Sequence, residues 1–151
     1  MTRPASIRRF GWLWLASTLF WGIATAMTWS RTARALARDP QAAAVASVAQ
    51  PVWVAIVLIV TALLWYGVAI RASRVAKWLI VAVAVLSALH GLGAVLTAFG
   101  PNAPQPLLLG VTTLSAVATV AAAMALFRDD ARAWFGDFDA DDDAAYGEEA
   151  A

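Results

Sequence analysis

The amino-acid sequence predicts an all-α fold: an integral membrane four-helix bundle followed by a disordered acidic C-terminal tail. Two observations predict it. Of the 151 residues, 62% are apolar and only 14% are charged, whereas soluble domains are about 45–50% apolar and about 25% charged. The apolar residues also fall into long runs, and a run of about 20 residues in a helix is enough to cross a bilayer.

The same composition excludes several classes of protein. A chain this small cannot hide its apolar excess from water, because small folds leave much of their surface exposed. An ordinary cytosolic domain, a disordered chain and a nucleic-acid binder are therefore excluded. The sequence contains no cysteine, which excludes disulfides, thiolate metal ligands and cysteine nucleophiles.

Four stretches are long enough to span a membrane. The first is residues 10–30, which carry no charge. The second, residues 52–70, belongs to a longer charge-free run that would make a helix of roughly 46 Å, and Pro51 divides that run because proline suits the first turn of a helix. Residues 78–99 and 106–127 form the third and fourth spans, on either side of a proline-rich turn. The runs lack the period-two alternation of barrel strands.

The first span has an alternative interpretation as a secretory signal peptide. Ala24-Thr25-Ala26 would supply the small-residue cleavage site. The apolar stretch continues past that site to Ser30 and is rich in tryptophan. We therefore interpret it as an uncleaved span.

Basic residues in the short loops predict the orientation. With both termini inside, eight bases lie inside, namely Arg3, Arg8, Arg9, Arg71, Arg74, Lys77, Arg128 and Arg132, and three lie outside, namely Arg31, Arg34 and Arg38. The positive-inside rule then predicts that residues 1–9 and residues 136–151 are cytoplasmic and flank a transmembrane domain at residues 10–135. An interfacial aromatic belt is expected near the span ends from Trp12, Trp14, Trp29, Trp53, Trp78 and Trp134.

The formal net charge of +1 is an average of two opposite regions. Residues 1–128 carry ten bases and one acid, whereas residues 129–151 carry nine acids and one base. The acidic tail is expected to be solvated and disordered. Residues 137–148 imitate a calcium loop, but Asp142 stands where such a loop needs glycine, so no calcium site is expected. Trp134 and Phe135 are expected to anchor a short helix at the inner membrane interface.

Three sequence features together resemble a known group of proteins. Arg8-Arg9-Phe10 leads into Trp12-Leu13-Trp14, a basic loop from Arg71 to Trp78 joins spans two and three, and Arg132-Ala133-Trp134-Phe135 follows the last span. Over residues 6–135 this pattern resembles small uncharacterised bacterial inner-membrane proteins with four helices. The resemblance implies the fold and a multi-pass location in a bacterial inner membrane, and it implies no reaction.

His90, near the middle of the third span, is the main candidate for a functional side chain within the membrane. It is either a neutral histidine bonded to a neighbouring helix, part of a polar binding or gating site, or a metal ligand shared across an oligomer. The candidate polar site comprises His90, Ser87, Thr97, Thr18, Thr25, Ser115 and Thr119. No Asp, Glu, Lys or Arg lies within a span, and one imidazole is too few for zinc or bis-histidine haem. No catalytic residue, metal or cofactor is therefore expected.

Two further patterns concern contacts between helices and at the outer surface. Small residues repeat every four positions, as in Thr18, Gly22 and Ala26, which suits packing either within one bundle or between copies. Arg31, Arg34 and Arg38 share a face if the first span continues as a helix, and a short alanine-rich helix to Gln50 is expected after Asp39-Pro40. These arginines either contact anionic headgroups or an acidic partner, or form a solvated helix end.

We therefore expect a non-enzymatic protein, a structural or interaction subunit or a modulator of a membrane assembly. Its expected partners are the lipid bilayer and another membrane protein or a second copy of the chain, with no nucleic acid. The alternative is a small oligomeric transporter or channel with a polar site around His90. Polar residues that converge with His90 on a water-accessible cavity would favour transport, whereas a dry bundle with an exposed small-residue face would favour assembly.

Overall fold

A computed structural model describes residues 3–36, 40–100 and 103–136. In these residues the chain forms five helices and no strand: α1 (Ala5–Leu36), α2 (Pro40–Ala69), α3 (Arg74–Thr97), α4 (Pro106–Ala125) and α5 (Asp129–Phe135). Helices α1 to α4 are long and apolar enough to cross a membrane. The predicted all-α bundle of four spans is therefore confirmed, whereas the tail from residue 137 lies outside the described residues.

The four long helices run up and down in alternation and form a ring. α1 packs most extensively on α4, α4 also packs on α3, and α2 completes the ring between α1 and α3. The start of α1 and the start of α3 lie at the same end of the bundle as the last residues of α2 and α4. We call this end the closed end and the opposite end the open end.

α1 extends beyond the predicted span at both ends. Ile7 is buried in its first turn because Ile7, Phe10 and Trp14 lie on one face, at the i, i+3, i+7 spacing of a helix. Toward the open end α1 continues through Arg31 and Arg34 to Leu36. A helix of 32 residues is about 48 Å long, longer than the hydrocarbon core of a bilayer, which is about 30 Å thick.

The predicted helix break at Pro51 is wrong, because α2 is one continuous helix that contains this proline. Proline removes one backbone hydrogen bond, which leaves the carbonyl of Ser47 without its helical donor. Ser47 is exposed near the open end, where water can satisfy that carbonyl. The alanines before Pro51 favour helix strongly, so the break and the separate short helix to Gln50 are replaced by one long helix.

Local signals place the remaining helix ends. Ser73 caps α3, because its hydroxyl accepts a hydrogen bond from the backbone N–H of Ala76 at 3.3 Å. α3 therefore begins at Arg74, four residues before the predicted span. α4 begins at Pro106 as predicted and ends at Ala125. α5 is a single short helix that ends at Gly136 in the left-handed conformation, with φ of 66°.

An aromatic core fills the closed end. Phe10 and Trp14 stack at 5.8 Å between ring centroids, and the indole N–H of Trp14 donates to the carbonyl of Thr61 at 3.1 Å. Lys77 is buried at the same end, with its ammonium 4.8 Å from the Phe127 ring and 5.0 Å from the Phe135 ring. Such cation–π contacts offset part of the cost of burying the charge.

The prediction of an aromatic belt is therefore wrong for Trp14, and Trp134 is partly buried against the same core. Trp14 is only 4% exposed and belongs to the core. Trp12, Trp29, Trp53 and Trp78 are exposed, as belt residues should be. Spacing alone could not separate the two roles, because a tryptophan near a span end suits either one.

α5 lies across the closed end and forms hydrogen bonds with three other helices. The backbone N–H of Ser6 donates to Asp130 at 2.9 Å, the Trp134 indole donates to the carbonyl of Val68 at 3.1 Å, and Arg74 donates to the carbonyl of Gly136 at 2.6 Å. Phe135 is buried in the core. The predicted short helix is present, but its Phe135 packs on the bundle and is not an anchor in lipid.

Small residues bring helices close together inside the bundle. A methyl group added at Gly91 would lie 2.8 Å from the Cβ of Ala116, so α3 and α4 are in close contact there. The Ser115 hydroxyl donates to the carbonyl of Ser17 at 3.0 Å and joins α4 to α1. Small residues of α3 and α4 thus serve close packing within one chain at these positions. Gly22 has open space beside it.

The outside of the bundle is apolar. Large side chains such as Leu63, Leu89, Leu96 and Leu107 are more than half exposed. A surface of this kind is unstable in water over so large an area and suits the hydrocarbon of a bilayer. Together with the four long apolar helices, it defines a multi-pass membrane protein.

Candidate functional site

An open cleft occupies the half of the bundle toward the open end. The fully buried residues of α2, namely Leu64, Val68 and Ala69, all lie in its last two turns, so α2 packs firmly only at the closed end. Elsewhere α1, α3 and α4 leave a space of about 990 Å³, to which α2 contributes Trp53. That volume suits a small ligand.

One stripe of α3 forms a wall of the cleft. Leu86, His90, Gly93 and Thr97 line the cleft, and their spacing places them along one side of the helix. All four are exposed. The cleft therefore opens sideways along α3, where α2 has separated from it, as well as at the end of the bundle.

α1 and α4 contribute the polar residues of the other walls. Thr25 and Thr28 project from α1 together with Trp21, and Thr112 and Ser115 project from α4. Helical spacing explains the α1 group, because Trp21, Thr25 and Thr28 follow one another at i, i+4 and i+7. Side chains from three helices thus meet around one space.

Some of these hydroxyls already donate to the backbone. Thr28 donates to the carbonyl of Ala24 at 3.0 Å, Thr97 to that of Ala94 at 2.8 Å, and Ser115 to that of Ser17 at 3.0 Å. Their oxygen lone pairs still accept hydrogen bonds. These bonds hold the side chains in fixed positions around the cleft.

Other polar groups of the cleft have their hydrogen-bonding capacity free. Within the described part of the chain, the imidazole of His90 and the hydroxyls of Ser87 and Thr112 form no hydrogen bond. The same holds for the indoles of Trp21 and Trp53. A neutral His90 bonded to a neighbouring helix, the first predicted alternative, is therefore not what the structure contains.

The structure brings together most of the predicted polar site. His90, Ser87, Thr97, Thr25 and Ser115 all line the cleft. Thr18 and Thr119 do not line it, and their hydroxyls donate to carbonyls of their own helices, at Trp14 and Ser115. Both lie nearer the closed end, where the helices pack tightly.

Sequence reasoning missed four polar or aromatic residues of the cleft. Trp21 and Thr28 could have been found, because they flank Thr25 on one helical face. Thr112 lies one turn before Ser115 and carries the same signal. Trp53 could not have been found, since its place depends on the continuous α2 helix.

The predicted arginine cluster is partly described. Arg31 and Arg34 are exposed on the last turns of α1, and Arg38 lies outside the described residues. The Arg34 guanidinium donates to the carbonyl of Ser30 at 3.0 Å and to its hydroxyl at 3.4 Å. Arg31 forms no such bond within the described residues.

The cleft offers little for metal binding or acid–base chemistry. Among the described residues there is no group of three His, Cys, Asp or Glu that could hold a metal ion. The cleft lining contains one imidazole, several hydroxyls and two indoles, with no carboxylate or amine among the described residues. Such a wall binds through hydrogen bonds and apolar contact.

Comparisons with protein-family models, with curated proteins and with solved structures gave no match.

Proposed function

We propose that this chain is a multi-pass protein of a bacterial inner membrane that binds a small ligand in the open cleft without catalysing a reaction on it. The observation that carries the proposal is the convergence of His90, Ser87, Thr25 and Ser115, from three helices, on one open space. Polar side chains are costly within a membrane. Several polar side chains around one open cleft are better explained by a ligand than by packing between helices.

Both termini lie in the cytoplasm in this proposal. The bases of the closed end support it: Arg3, Arg8, Arg9, Arg71, Arg74, Lys77, Arg128 and Arg132. Among the described bases, Arg31 and Arg34 alone belong to the other end, so the positive-inside rule favours the closed end inside. Green fluorescent protein fused to the C-terminus should fluoresce, and alkaline phosphatase fused there should stay inactive. The opposite pair of results would reverse the orientation.

His90 provides the direct test of the cleft, because it is the single histidine of the chain. Diethylpyrocarbonate should modify its imidazole in purified protein, and mass spectrometry would locate the product. Gly93→Leu should suppress the modification several-fold. Gly93 lines the cleft and a methyl group added to it meets no atom within 4 Å, so a larger side chain starts there without a clash at its Cβ and narrows the cleft beside His90.

Gly110→Leu is the matched control for that experiment. Gly110 also has open space beside it, lies in a helix and does not line the cleft. Its replacement should leave the modification of His90 unchanged. Protection of His90 in the wild-type protein, or equal modification of the Gly93→Leu and wild-type proteins, would refute the proposed cleft.

A structural or interaction role is the second candidate, favoured by the exposed apolar side of α2 toward the open end. Val45, Val48, Val52 and Ile56 are all about half exposed or more. Another membrane protein or a second copy of the chain would cover such a surface. Purification in mild detergent followed by mass spectrometry tests this role, and a monomer that carries no other protein would count against it.

A further inference from the structure

The class of ligand follows from the hydrogen-bonding groups of the cleft, and this inference rests on the proposed ligand-binding function. Indole N–H groups only donate, and the Ser87 and Thr112 hydroxyls have protons that no described residue accepts. Trp21 and Trp53 add two indole donors. The wall contains no carboxylate among the described residues. A ligand that presents acceptor oxygens matches these free donors.

The rest of the wall is apolar. Val83 and Leu86 of α3 face the space together with Leu108 and Leu109 of α4. These side chains suit a hydrocarbon chain and give little to a wholly polar solute. Because the cleft opens sideways along α3, a ligand can enter it from the surrounding lipid.

Charge at the open end favours an anion. Arg31 follows Ala24, which lines the cleft, by two helical turns on the same side of α1. Its guanidinium has no partner among the described residues, and guanidinium groups bind phosphate strongly through paired hydrogen bonds. Asp39 is the only acid in residues 1–128.

We infer that the cleft binds an anionic phospholipid from the surrounding leaflet. Its acyl chain lies in the cleft against Leu86 and Leu108 and passes His90, and its ester oxygens accept hydrogen bonds from free donors of the cleft. The phosphate pairs with Arg31 at the mouth of the cleft. Binding at this site differs from the general contact of the protein with bilayer lipid, because it requires the space between the cleft walls.

The single imidazole also makes this inference testable. Protein labelled with ¹⁵N-histidine in a neutral sugar detergent gives one pair of imidazole signals, which belongs to His90. Dihexanoyl phosphatidylglycerol should shift these signals saturably. Dihexanoyl phosphatidylcholine should bind roughly tenfold more weakly, because its quaternary ammonium adds a positive charge that Arg31 repels. Arg31→Gln should weaken phosphatidylglycerol binding by a similar factor.

Two matched controls separate the cleft from the rest of the surface. Arg34→Gln removes the same charge from an arginine that already bonds to Ser30, so it should leave the binding unchanged. Gly93→Leu should abolish the shift and Gly110→Leu should preserve it. Equal binding of the two lipids, or binding that survives Gly93→Leu, would overturn the inference.

The outcomes also distinguish the two proposals. If Gly93→Leu protects His90 from modification but phosphatidylglycerol leaves its signals unmoved, the cleft stands and the lipid inference fails. If His90 of the wild-type protein is never modified, the cleft itself is refuted and the lipid inference fails with it.

Discussion

Asp130 accepts a hydrogen bond of 2.9 Å from the backbone N–H of Ser6, although 124 positions separate them in the sequence. Ser6 lies in the first turn of α1, whose N–H groups have no partner within the helix. A carboxylate is favoured there by the helix dipole. The bond from the Ser6 N–H lowers the pKa of Asp130 below its usual value, and nearby Arg128 acts in the same direction.

Replacing Asp130 with alanine should lower the melting temperature of the protein, because α1 then loses its bond to α5. The pKa of Asp130 is lower in the folded than in the unfolded protein, so its contribution to stability is complete above the unfolded pKa, about 3.9. The contribution disappears as the pH falls through the lower folded pKa. Melting curves of both proteins between pH 7 and pH 2 should therefore converge at the acid end.

Asp129→Ala is the control, since Asp129 lies in the same turn of α5 and carries the same charge. It should lower the melting temperature less than Asp130→Ala does. Asp130→Asn keeps an acceptor oxygen and should retain part of the stability without the dependence on pH. Equal effects of Asp129→Ala and Asp130→Ala would show that only the helix charge matters.

The sequence predicted the number and place of the spans because long charge-free runs have few alternatives. It did not predict the full length of α1 or α2. Pro51 carries the signal of a helix start and occupies the middle of a helix, because an exposed backbone at that point tolerates the missing bond. The Ser73 cap has a sequence signal, a serine followed by a helical run, although the predicted span begins only at residue 78.

The cleft was predictable in part. Ser87 was predicted as a cleft residue because it lies one helical turn from His90. Thr25 and Ser115 were predicted because they are hydroxyl residues within two other spans. Sequence patterns could not exclude Thr18 from the cleft. Thr18, Gly22 and Ala26 follow the same four-residue spacing as small residues that line an interface between helices. Whether a hydroxyl faces a neighbouring helix or its own backbone is decided by packing, which one sequence does not contain.

Trp14 and Trp12 should differ sharply in their importance for stability. Trp14 is 4% exposed and Trp12 is 75% exposed, although only one residue separates them. Trp14→Ala should cost about 3–5 kcal/mol of unfolding free energy, the usual cost of emptying a buried aromatic site. Trp12→Ala should cost less than about 0.5 kcal/mol. Reversible unfolding in mixed detergents measures both, and comparable losses would contradict the described core.

Trp14→Phe isolates the indole hydrogen bond. The phenyl ring can keep the stacking with Phe10, whereas the donor to the carbonyl of Thr61 is lost. The expected loss of unfolding free energy lies between those of Trp12→Ala and Trp14→Ala. A value equal to that of Trp14→Ala would show that stacking does not survive the change.

Arg74 should hold the end of α5 in place. Its Nε donates to the carbonyl of Phe135 at 3.2 Å and its Nη2 to that of Gly136 at 2.6 Å, both of which are helix-end carbonyls without helical donors. Arg74→Gln should cost about 1 kcal/mol, because the side chain is exposed and water weakens the bonds. Hydrogen exchange at the amides of α5 should become faster.

Arg71→Gln removes the same charge from the same loop, and Arg71 forms no described bond to α5. It should leave the exchange of the α5 amides unchanged. Arg74→Lys should rescue only part of the loss, because an ammonium group lacks the planar fork that reaches both carbonyls. Faster exchange in both glutamine variants would show that charge, and not the two bonds, orders α5.

Gly91 should be intolerant of even one methyl group. The Cβ of an alanine at this position would lie 2.8 Å from the Cβ of Ala116, closer than such atoms ever approach. Gly91→Ala should therefore cost about 1–3 kcal/mol through separation of α3 and α4, although alanine favours helix over glycine by about 1 kcal/mol. Unfolding in mixed detergents measures the change.

A double-mutant cycle tests whether contact with the Ala116 methyl group causes the loss of stability in Gly91→Ala. Ala116→Gly removes the methyl group that Gly91→Ala would meet, so the double variant should recover most of the loss, with a coupling energy of about 1–3 kcal/mol. Gly93→Ala is the control on the same helix, because a methyl group there meets no atom within 4 Å, and it should cause no loss. If Gly91→Ala and Gly93→Ala are equally stable, α3 and α4 do not approach each other at Gly91 as closely as described.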